Sequence, residues 1–320
     1  MKSQRELLPS ALVVLLASAL LYWAFKDIPI ADIAQILGRL SALQIITLLI
    51  VNTLIMFLFG LRWWMILKEM GHDIPLFNIA LYRLAAFGVS YFTPGPQFGG
   101  EPLQVIFIRN KHQVETSQAI ASVSFDKLIE LISNFSFLLI AFAIVIRSEL
   151  MVNWNYAELQ VLAIFLLLLP LMYFGSLYWG YMPIAFITRR LKISWQKKVE
   201  DSEKQLYHLV RNKNKVLLLS LGASLLVWLA LIYEYQLALS FLGADIPLTS
   251  ILAIMLLARL AMLAPTPGAL GALEASLVFS VTALNLAPAL GISLGLIIRG
   301  RDILFGGIGI LLGWSQRHRE

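Results

Sequence analysis

Long apolar runs, separated by short polar turns, follow one another along most of the chain. The runs are continuously apolar and rich in Leu, Ile and Ala, whereas transmembrane β-strands would alternate with a period of two. Several runs reach the roughly 20 residues that a helix needs to cross a bilayer. The pattern predicts membrane-spanning helices at 12–25, 43–67, 117–146, 158–178, 216–242 and 287–314.

The run at 12–25 has a second interpretation, because Lys2 and Arg5 precede it as basic residues precede the core of a secretory signal peptide. No small-residue cleavage site follows it clearly, and the run ends in bulky residues that include Leu21 and Trp23. We therefore favour an uncleaved first span over a signal peptide.

Two shorter apolar segments are each interrupted by proline and glycine. The first break runs from Thr93 to Glu101, and the second runs from Thr266 to Glu274. Neither side of the first break spans a bilayer comfortably, so we predict that each segment forms a re-entrant helical hairpin. Irregular backbone persists at membrane depth only where protein buries it or water reaches it. Such breaks at corresponding places in two halves of a chain point to a transporter binding site.

The two breaks belong to a longer repeat. The turns at 71–76 and 243–248 share the pattern Gly-x-Asp-Ile-Pro-Leu. Further matches follow in the same order and at nearly the same separation along the chain, and they pair Arg83 with Arg259, Glu101 with Glu274, and Asp126 with Asp302. We predict a single transmembrane domain over 1–320, with one repeat at about 43–147 and the other at about 214–315.

The number of crossings between the hairpins determines how the two repeats are oriented. If the N-terminus is inside, the first hairpin enters from the cytoplasm, and three further crossings make the second hairpin enter from outside. The predicted fold is therefore an all-α polytopic membrane protein with an inverted-topology repeat, about six full spans and two re-entrant helical hairpins. Eight simple spans with proline kinks are the alternative, and the inversion persists in that arrangement.

The composition supports a membrane protein, and the distribution of charge indicates how the chain is oriented in the membrane. Hydrophobic residues make up 59% of the 320 residues and charged residues 14%, against about 25% charged in soluble domains. The net charge is +6, and basic residues are concentrated in a hydrophilic loop at 180–215. The positive-inside rule places this basic loop and both termini in the cytoplasm, as expected for a multi-pass protein of the cytoplasmic membrane. The loop also suits anionic lipid headgroups.

Charged side chains within the apolar runs are the main candidates for function, because each costs about 2.5–3.5 kcal/mol to insert. Arginine suits phosphate because its guanidinium binds phosphate as a two-pronged fork. The glutamates that follow the breaks suit a cation, a proton or a basic headgroup. Two alternatives stay open: the arginines only pair with nearby acids, and the glutamates only cap helices. Arg62 we expect to be an interfacial anchor at a span end.

The two breaks and the charged residues near them form a candidate site for a lipid headgroup. The predicted substrate-binding residues are Arg83, Thr93, Pro94, Gly95, Gly99, Gly100, Glu101, Asp126, Lys127, Arg259, Thr266, Pro267, Gly268, Glu274, Arg299, Arg301 and Asp302.

Motifs of several other function classes are missing from the sequence. It contains no P-loop, no H-E-x-x-H, no cysteine and only four scattered histidines. We therefore expect no catalytic residues, no metal, no cofactor and no nucleic-acid partner. An intramembrane enzyme that acts through Glu101 or Asp126 is the main alternative to a transporter.

Several of these sequence motifs resemble those of a known protein family. Arg62-Trp63 near a span end, Gly99-Gly100-Glu101, Asp126 in a long helix, and the stretch from Pro267 to Ala275 are similar to the membrane region of lysylphosphatidylglycerol synthases. The same region occurs in stand-alone flippase-like membrane proteins of bacteria and archaea. The first motif departs from the family pattern at Gln97-Phe98, where smaller residues are expected.

The resemblance implies a role in lipid translocation. In the full-length synthases a separate soluble domain makes aminoacylated phosphatidylglycerol, and the membrane region is thought to flip it. We expect no aminoacyl transfer here, because that soluble domain is absent from the sequence. The expected function is translocation, by flipping or transport, of a polar phospholipid or lipid-linked headgroup. The expected partners are membrane lipids with anionic or phosphate-bearing headgroups, with a lipid-synthesis enzyme as a possible protein partner. An intramembrane lipid-modifying enzyme and a non-transporting membrane assembly protein are the alternatives.

Overall fold

The computed structural model describes residues 18–93, 99–146, 156–192 and 194–317, and every regular element in these ranges is a helix. The first described segment, 18–25, is helix α1, and the predicted span at 12–25 otherwise lies outside the described residues. The other helices are α2 (Ile30–Leu37), α3 (Ala42–Glu69), α4 (Leu76–Phe92), α5 (Glu101–His112), α6 (Thr116–Ile146), α7 (Tyr156–Tyr178), α8 (Pro183–Arg190), α9 (Gln196–Asn212), α10 (Asn214–Phe241), α11 (Leu248–Ala261), α12 (Ala272–Ala283) and α13 (Pro288–Arg317).

Four helices are long and apolar enough to cross a membrane, which makes this a multi-pass membrane protein. They are α3, α6, α10 and the part of α7 from Val161 to Tyr178, and they agree with four of the predicted spans. Helix α13 is 30 residues long and carries three charged residues near its middle, Arg299, Arg301 and Asp302.

Local sequence signals explain where the long helices begin and end. Helix α3 begins at Ser41, whose side chain accepts a hydrogen bond from the Gln44 N–H while the Gln44 side chain bonds back to Ser41; this capping box satisfies two free backbone groups. Gly71 and Gly243 follow α3 and α10 with φ of +91° and +87°. Glycine adopts this left-handed conformation without a side-chain clash, so both turns are tight.

The two halves of the chain contain the same helices in the same order. In the first half, α3 to α6 have 28, 17, 12 and 31 residues. In the second half, α10 to α13 have 28, 14, 12 and 30 residues. A break lies between the second and third helix of each half. We call α4–α5 the first hairpin and α11–α12 the second hairpin.

The halves are interlocked rather than side by side. Helix α3 packs against α10, α4 of the first half packs against α13, and α11 of the second half packs against α6. Small residues allow close approach at the α4–α13 seam, where a Cβ built on Gly309 would overlap the backbone of Leu84. Close packing through glycine is typical of helix pairs in membranes.

The first hairpin is antiparallel. The Tyr82 ring of α4 stacks on Phe107 of α5 with centroids 4.8 Å apart, and the Gly100 N–H donates to the Ser90 hydroxyl at 2.9 Å. Its two ends therefore lie near each other.

A single apolar cluster joins the ends of four long helices. It contains Ile66 near the end of α3, Ala121 near the start of α6, Leu177 at the end of α7 and Val216 at the start of α10. The first hairpin connects α3 to α6, so it leaves from this cluster and returns to it.

The basic segment at 180–215, which the charge pattern suggests is a loop, contains two helices, α8 and α9. Leu206, Leu209 and Val210 of α9 are buried in the cluster just described, so α9 packs against the ends of the spans. The Glu203 carboxylate accepts the N–H groups of Ile184 and Ala185 and so caps the start of α8. The high charge of the segment hides the helical spacing of these few apolar residues.

Candidate functional site

Each break ends in a glutamate that caps the helix beginning there. Glu101 accepts a hydrogen bond from the Gly99 N–H at 2.8 Å. Glu274 accepts one from the Gly271 N–H at 2.9 Å. The capping role that the sequence leaves open is thus present at both breaks, and a carboxylate at a helix start is further stabilised by the helix dipole.

The threonines of the breaks bond to their own backbone. Thr93 donates to the carbonyl of Val89 at 2.6 Å, and buried Thr266 donates to the carbonyl of Leu270 at 3.2 Å. Pro267 begins a short 3₁₀ turn. Pro94 and Gly95 lie outside the described residues, so their predicted role stays a prediction.

Arg299 holds the second break together. Its Nε and Nη2 atoms donate to the two carboxylate oxygens of Glu274 at 2.6 and 3.2 Å. Its Nη1 donates to the Tyr91 hydroxyl at 3.1 Å and to the Gly268 carbonyl. Gly268 has φ of +54°, and a Cβ there would crowd the Tyr91 ring. One buried guanidinium therefore ties α13 to α12, to the second break and to α4.

Lys127 occupies the corresponding place at the first break. Its ammonium lies 3.3 Å from Glu101 and 2.7 Å from Glu130. The Glu101 side chain is 22% exposed, whereas that of Glu274 is 6% exposed. Both predicted glutamates thus pair with a predicted cation, but the first pair is more open.

Two arginines and two carboxylates of the first half form a network in which Arg62 and Asp126 are buried and Arg83 and Glu130 are partly exposed. Arg62 donates to Asp126 at 2.6 Å and to Glu130 at 3.1 Å. Arg83 donates to the same two acids. Both guanidinium groups also lie over the Phe59 ring, at 5.5 and 5.4 Å. Each arginine is thus neutralised by the same pair of acids.

The expectation that Arg62 is an interfacial anchor is wrong. Its side chain is 1% exposed, and it also donates to Ser224 of α10 at 3.1 Å. A single arginine near a span end looks the same in sequence whether it faces lipid headgroups or the protein interior. Only the packing of α3 against α6 and α10 distinguishes the two.

A second network joins residues of the second half to Asn52 on α3 of the first half. Arg301 donates to Asp302 at 2.9 Å, to Asn52 at 3.0 Å and to Glu234. Asn52 also donates to Glu234 at 3.0 Å. Glu234 and Asn52 are absent from the predicted site, although each is a rare polar residue in an apolar run, and that rarity was the signal available in the sequence.

These networks surround a cavity of about 120 Å³ between the two halves, which we call the central cavity. Residues of both halves line it, so the structure brings most of the predicted charged residues together. Its charged lining residues are Arg83, Glu101, Lys127, Glu130, Arg259, Arg301 and Asp302. Asp126, Glu274 and Arg299 are buried behind this lining. Within the part of the chain that the structure describes, no His, Cys, Asp or Glu cluster could hold a metal ion.

A larger and mostly apolar space of about 490 Å³ adjoins the central cavity, and we call it the lateral chamber. It lies among α6, α7, α10 and α11, and Pro170 inside α7 forms part of its wall. Phe59, Lys127, Leu231 and Arg259 belong to the walls of both spaces. The site thus has a charged part inside the protein and an apolar part beside it.

Comparison with known proteins gives a family for most of the chain. A family model described as "Lysylphosphatidylglycerol synthase TM region" matches residues 10–309. This range includes both breaks and every charged residue of the central cavity. No curated protein matches the chain, and no solved structure matches it.

Proposed function

The chain belongs to the family of the lysylphosphatidylglycerol synthase TM region, and we propose that it translocates a polar phospholipid or a lipid-linked headgroup across the membrane. The observation that carries this proposal is a charged central cavity that shares wall residues with an apolar lateral chamber. A membrane lipid has the same two parts, a polar headgroup and apolar chains. The family is one of lipid modification or translocation, which fits such a substrate.

The charges of the central cavity support a passage for headgroups. A polar group in hydrocarbon costs several kcal/mol when nothing hydrogen-bonds to it. Inside the protein, side chains such as Arg83, Lys127 and Asp302 can supply the hydrogen bonds that a headgroup loses when it leaves water. They are themselves paired, so these charges are tolerable at membrane depth. The lowered cost of moving a headgroup is what a flippase must supply.

The proposal includes an inverted relation between the halves. It is supported by the matching helix order and by the reciprocal packing of α4 on α13 and α11 on α6. It is further supported by the first hairpin, which leaves and rejoins one cluster of helix ends. Inverted repeats that meet at a central site are the architecture of alternating-access transporters. In this arrangement the basic segment with α8 and α9 and both termini face the cytoplasm.

The energy source follows from what the sequence lacks. Without a P-loop, movement would follow a lipid gradient, couple to an ion, or proceed downhill as scrambling. The expected partners are the membrane lipids themselves, with anionic or phosphate-bearing headgroups, and a lipid-synthesis enzyme that supplies them.

Reconstitution tests the proposal directly. The purified protein is placed in liposomes with fluorescent lipids in one leaflet, and their movement to the other leaflet is followed. We expect protein-dependent movement that slows in Glu101→Gln, because Glu101 lines the central cavity. Glu115→Gln is the matched control, since Glu115 is exposed in the turn before α6. Absence of movement for every lipid class tested would contradict the proposal, and a new lipid product in mass spectra would favour an intramembrane enzyme.

A further inference from the structure

The cations of the central cavity differ in what they already bind. Arg83 holds Asp126 at 3.0 Å and also Glu130. Lys127 holds Glu130 at 2.7 Å. Arg301 holds Asp302 at 2.9 Å and also Glu234. Arg259 differs from these three cations. No carboxylate oxygen among the described residues lies within 4.0 Å of an Arg259 nitrogen, so Arg259 has no ion-pair partner in this part of the chain.

An aromatic pair supports Arg259 from one side. The centre of its guanidinium lies 5.0 Å from the centroid of the Trp228 ring, and Trp228 in turn stacks on Phe137 at 3.9 Å. A cation–π contact uses the face of the guanidinium. The five N–H donors lie in the plane of that group, so the stacking positions Arg259 without using them.

Gln104 adds a second unused donor to the same cavity. It lines the central cavity and is 1% exposed. Within the described ranges its amide Nε2 has no hydrogen-bond partner. A buried donor without a partner costs about 1–3 kcal/mol, which an acceptor that came within reach of this amide would recover. The unused groups at Arg259 and Gln104 are both donors, and that favours an anion.

The charge balance of the lining also favours an anion. Four cations line the described part of the cavity, and the lining carboxylates are Glu101, Glu130 and Asp302. A fourth carboxylate, Glu234, would balance the fourth cation, but it lies behind the cavity wall. It is bonded to Arg301 and Asn52 rather than to Arg259. The positive excess is therefore local to Arg259.

The position of Arg259 indicates what kind of anion fits. It lines both the central cavity and the lateral chamber. The central cavity, at about 120 Å³, is smaller than the roughly 300–1,000 Å³ of common ligand pockets. The lateral chamber, at about 490 Å³, is within that range and is lined by apolar residues such as Phe135 and Leu166. A small anionic group joined to an apolar chain matches the two spaces together.

We propose that Arg259, with Gln104 in the wall of the same cavity, binds the phosphate of the transported lipid while an apolar chain of that lipid occupies the lateral chamber. This inference rests on the proposed function and names the contact that the substrate makes. Bidentate binding of phosphate by arginine is strong and specific in geometry, and the neighbouring chamber selects a lipid over free phosphate.

Binding measurements on the purified full-length protein test the phosphate contact. The probes are phosphatidic acid, diacylglycerol with the same chains, and inorganic phosphate, and retention is read by native mass spectrometry. We expect wild-type protein to bind phosphatidic acid at least roughly tenfold more tightly than the other two. Arg259→Gln should lose about tenfold or more in affinity, as for the loss of one charge-assisted hydrogen bond. Arg39→Gln is the control, because Arg39 is an exposed arginine outside the cavity.

A pair of neighbouring leucines tests the chamber. Leu169 lines the lateral chamber, whereas Leu168 lies outside its lining, and the two are exposed to similar extents, 52% and 47%. Leu169→Trp should weaken phosphatidic acid binding by partly filling the chamber, and Leu168→Trp should not. Equal effects of the two substitutions would overturn the assignment of the chain to this chamber.

The outcomes separate this inference from the proposed function. Equal binding by wild type and Arg259→Gln overturns the phosphate site, and so does equal retention of diacylglycerol or of inorganic phosphate. Arg259→Lys keeps the charge but not the fork, so intermediate affinity is expected, and it tests the site should the Gln variant fail to fold. Arg259-dependent binding without lipid movement in liposomes would leave the site intact and refute translocation. Lipid movement without Arg259-dependent binding would support translocation and refute the phosphate site.

Discussion

The two glutamates at the breaks occupy equivalent places, but their surroundings differ. Glu274 is buried and receives two hydrogen bonds from Arg299, which is itself fixed by Tyr91. Glu101 is 22% exposed and lies 3.3 Å from a lysine, Lys127. Arginine holds a carboxylate in a rigid fork, whereas lysine is a flexible point charge. The second break is thus fastened in place, and the first is held more loosely.

The two halves differ in a second way, because residues of opposite charge occupy corresponding places in the spans α3 and α10. Arg62 in α3 and Glu234 in α10 have the same separation along the chain as the two Gly-x-Asp-Ile-Pro-Leu turns, so they occupy corresponding places in the two halves. Arg62 binds acids of α6, and Glu234 binds Arg301 of α13. Each half therefore links its first and last helix by an ion pair, with the signs exchanged.

The contacts also indicate how positions in the two halves of the chain correspond. Lys127 and Arg299 have this same separation along the chain, and they bind the equivalent glutamates. The sequence pattern instead paired Asp126 with Asp302, whose separation is slightly longer. The difference is about one helical turn, so both alignments keep the helix face, and the contacts favour the shorter separation.

These differences lead us to expect unequal motion. The first hairpin, held at its break by Lys127 and Glu101, should move more easily than the second, which Arg299 fixes.

The largest effect is expected from Arg299→Gln. It leaves the Glu274 carboxylate buried without its charged partner, and breaking a buried pair in this way costs about 3–5 kcal/mol. Chemical unfolding in detergent measures the loss. Lys127→Gln at the looser break is the matched variant and should cost clearly less. Equal losses for the two variants would refute the contrast between the breaks.

A smaller loss is expected from Gly309→Ala at the seam between α4 and α13. The added Cβ would overlap the Leu84 backbone, and such overpacking costs about 1–3 kcal/mol. Gly307→Ala on the same helix is the control, because open space surrounds it. Alanine favours helices over glycine by up to about 1 kcal/mol, so this control should be neutral or stabilising. Thermal unfolding of both variants in one detergent checks the prediction.

Glu101→Gln should change stability little and transport more. Partly exposed ion pairs contribute only about 0–1 kcal/mol, so the unfolding midpoint should barely shift. The rate of lipid movement should fall by roughly tenfold, which corresponds to about 1.4 kcal/mol in the barrier. A variant with normal transport and a large loss of stability would show that Glu101 is only a structural cap.

The least perturbing test concerns the inverted arrangement. The chain contains no cysteine, and Asp73 and Asp245 are exposed in the equivalent turns before α4 and α11. Single cysteines at these positions should react with an impermeant reagent from opposite sides of the membrane. Lys197→Cys in α9 should react from the same side as Asp73→Cys. Labelling of both turns from one side would contradict the inversion.

The helices were predictable because their signals are local. Apolar runs of span length located α3, α6, α7 and α10, and proline with glycine located both breaks. The family was recognisable from the sequence around the same breaks, and the match over 10–309 confirms it.

The ion pairs were predictable only in part, because they depend on which distant helices meet. Asp126 and Lys127 stand out as charges in an apolar run, but the partners of Asp126 are Arg62 on α3 and Arg83 on α4, 64 and 43 positions away. The bond between Asn52 and Glu234 joins residues 182 positions apart. No local sequence pattern encodes such contacts. Substrate binding by the charged residues of the candidate site stays a prediction.

A reversible disulfide between α4 and α13 tests whether lipid translocation depends on motion of the first hairpin. A Cβ built on Gly313 of α13 lies 3.2 Å from the Cβ of Ala85 of α4, close to the roughly 3.5–4.5 Å of disulfides. In liposomes, the Ala85→Cys/Gly313→Cys protein should move fluorescent phospholipid when reduced, stop when oxidised, and recover after reduction, while each single-cysteine variant stays active. Lipid movement at the same rate in the oxidised and reduced states, or no movement above protein-free liposomes in the reduced state, would contradict translocation by motion of the first hairpin.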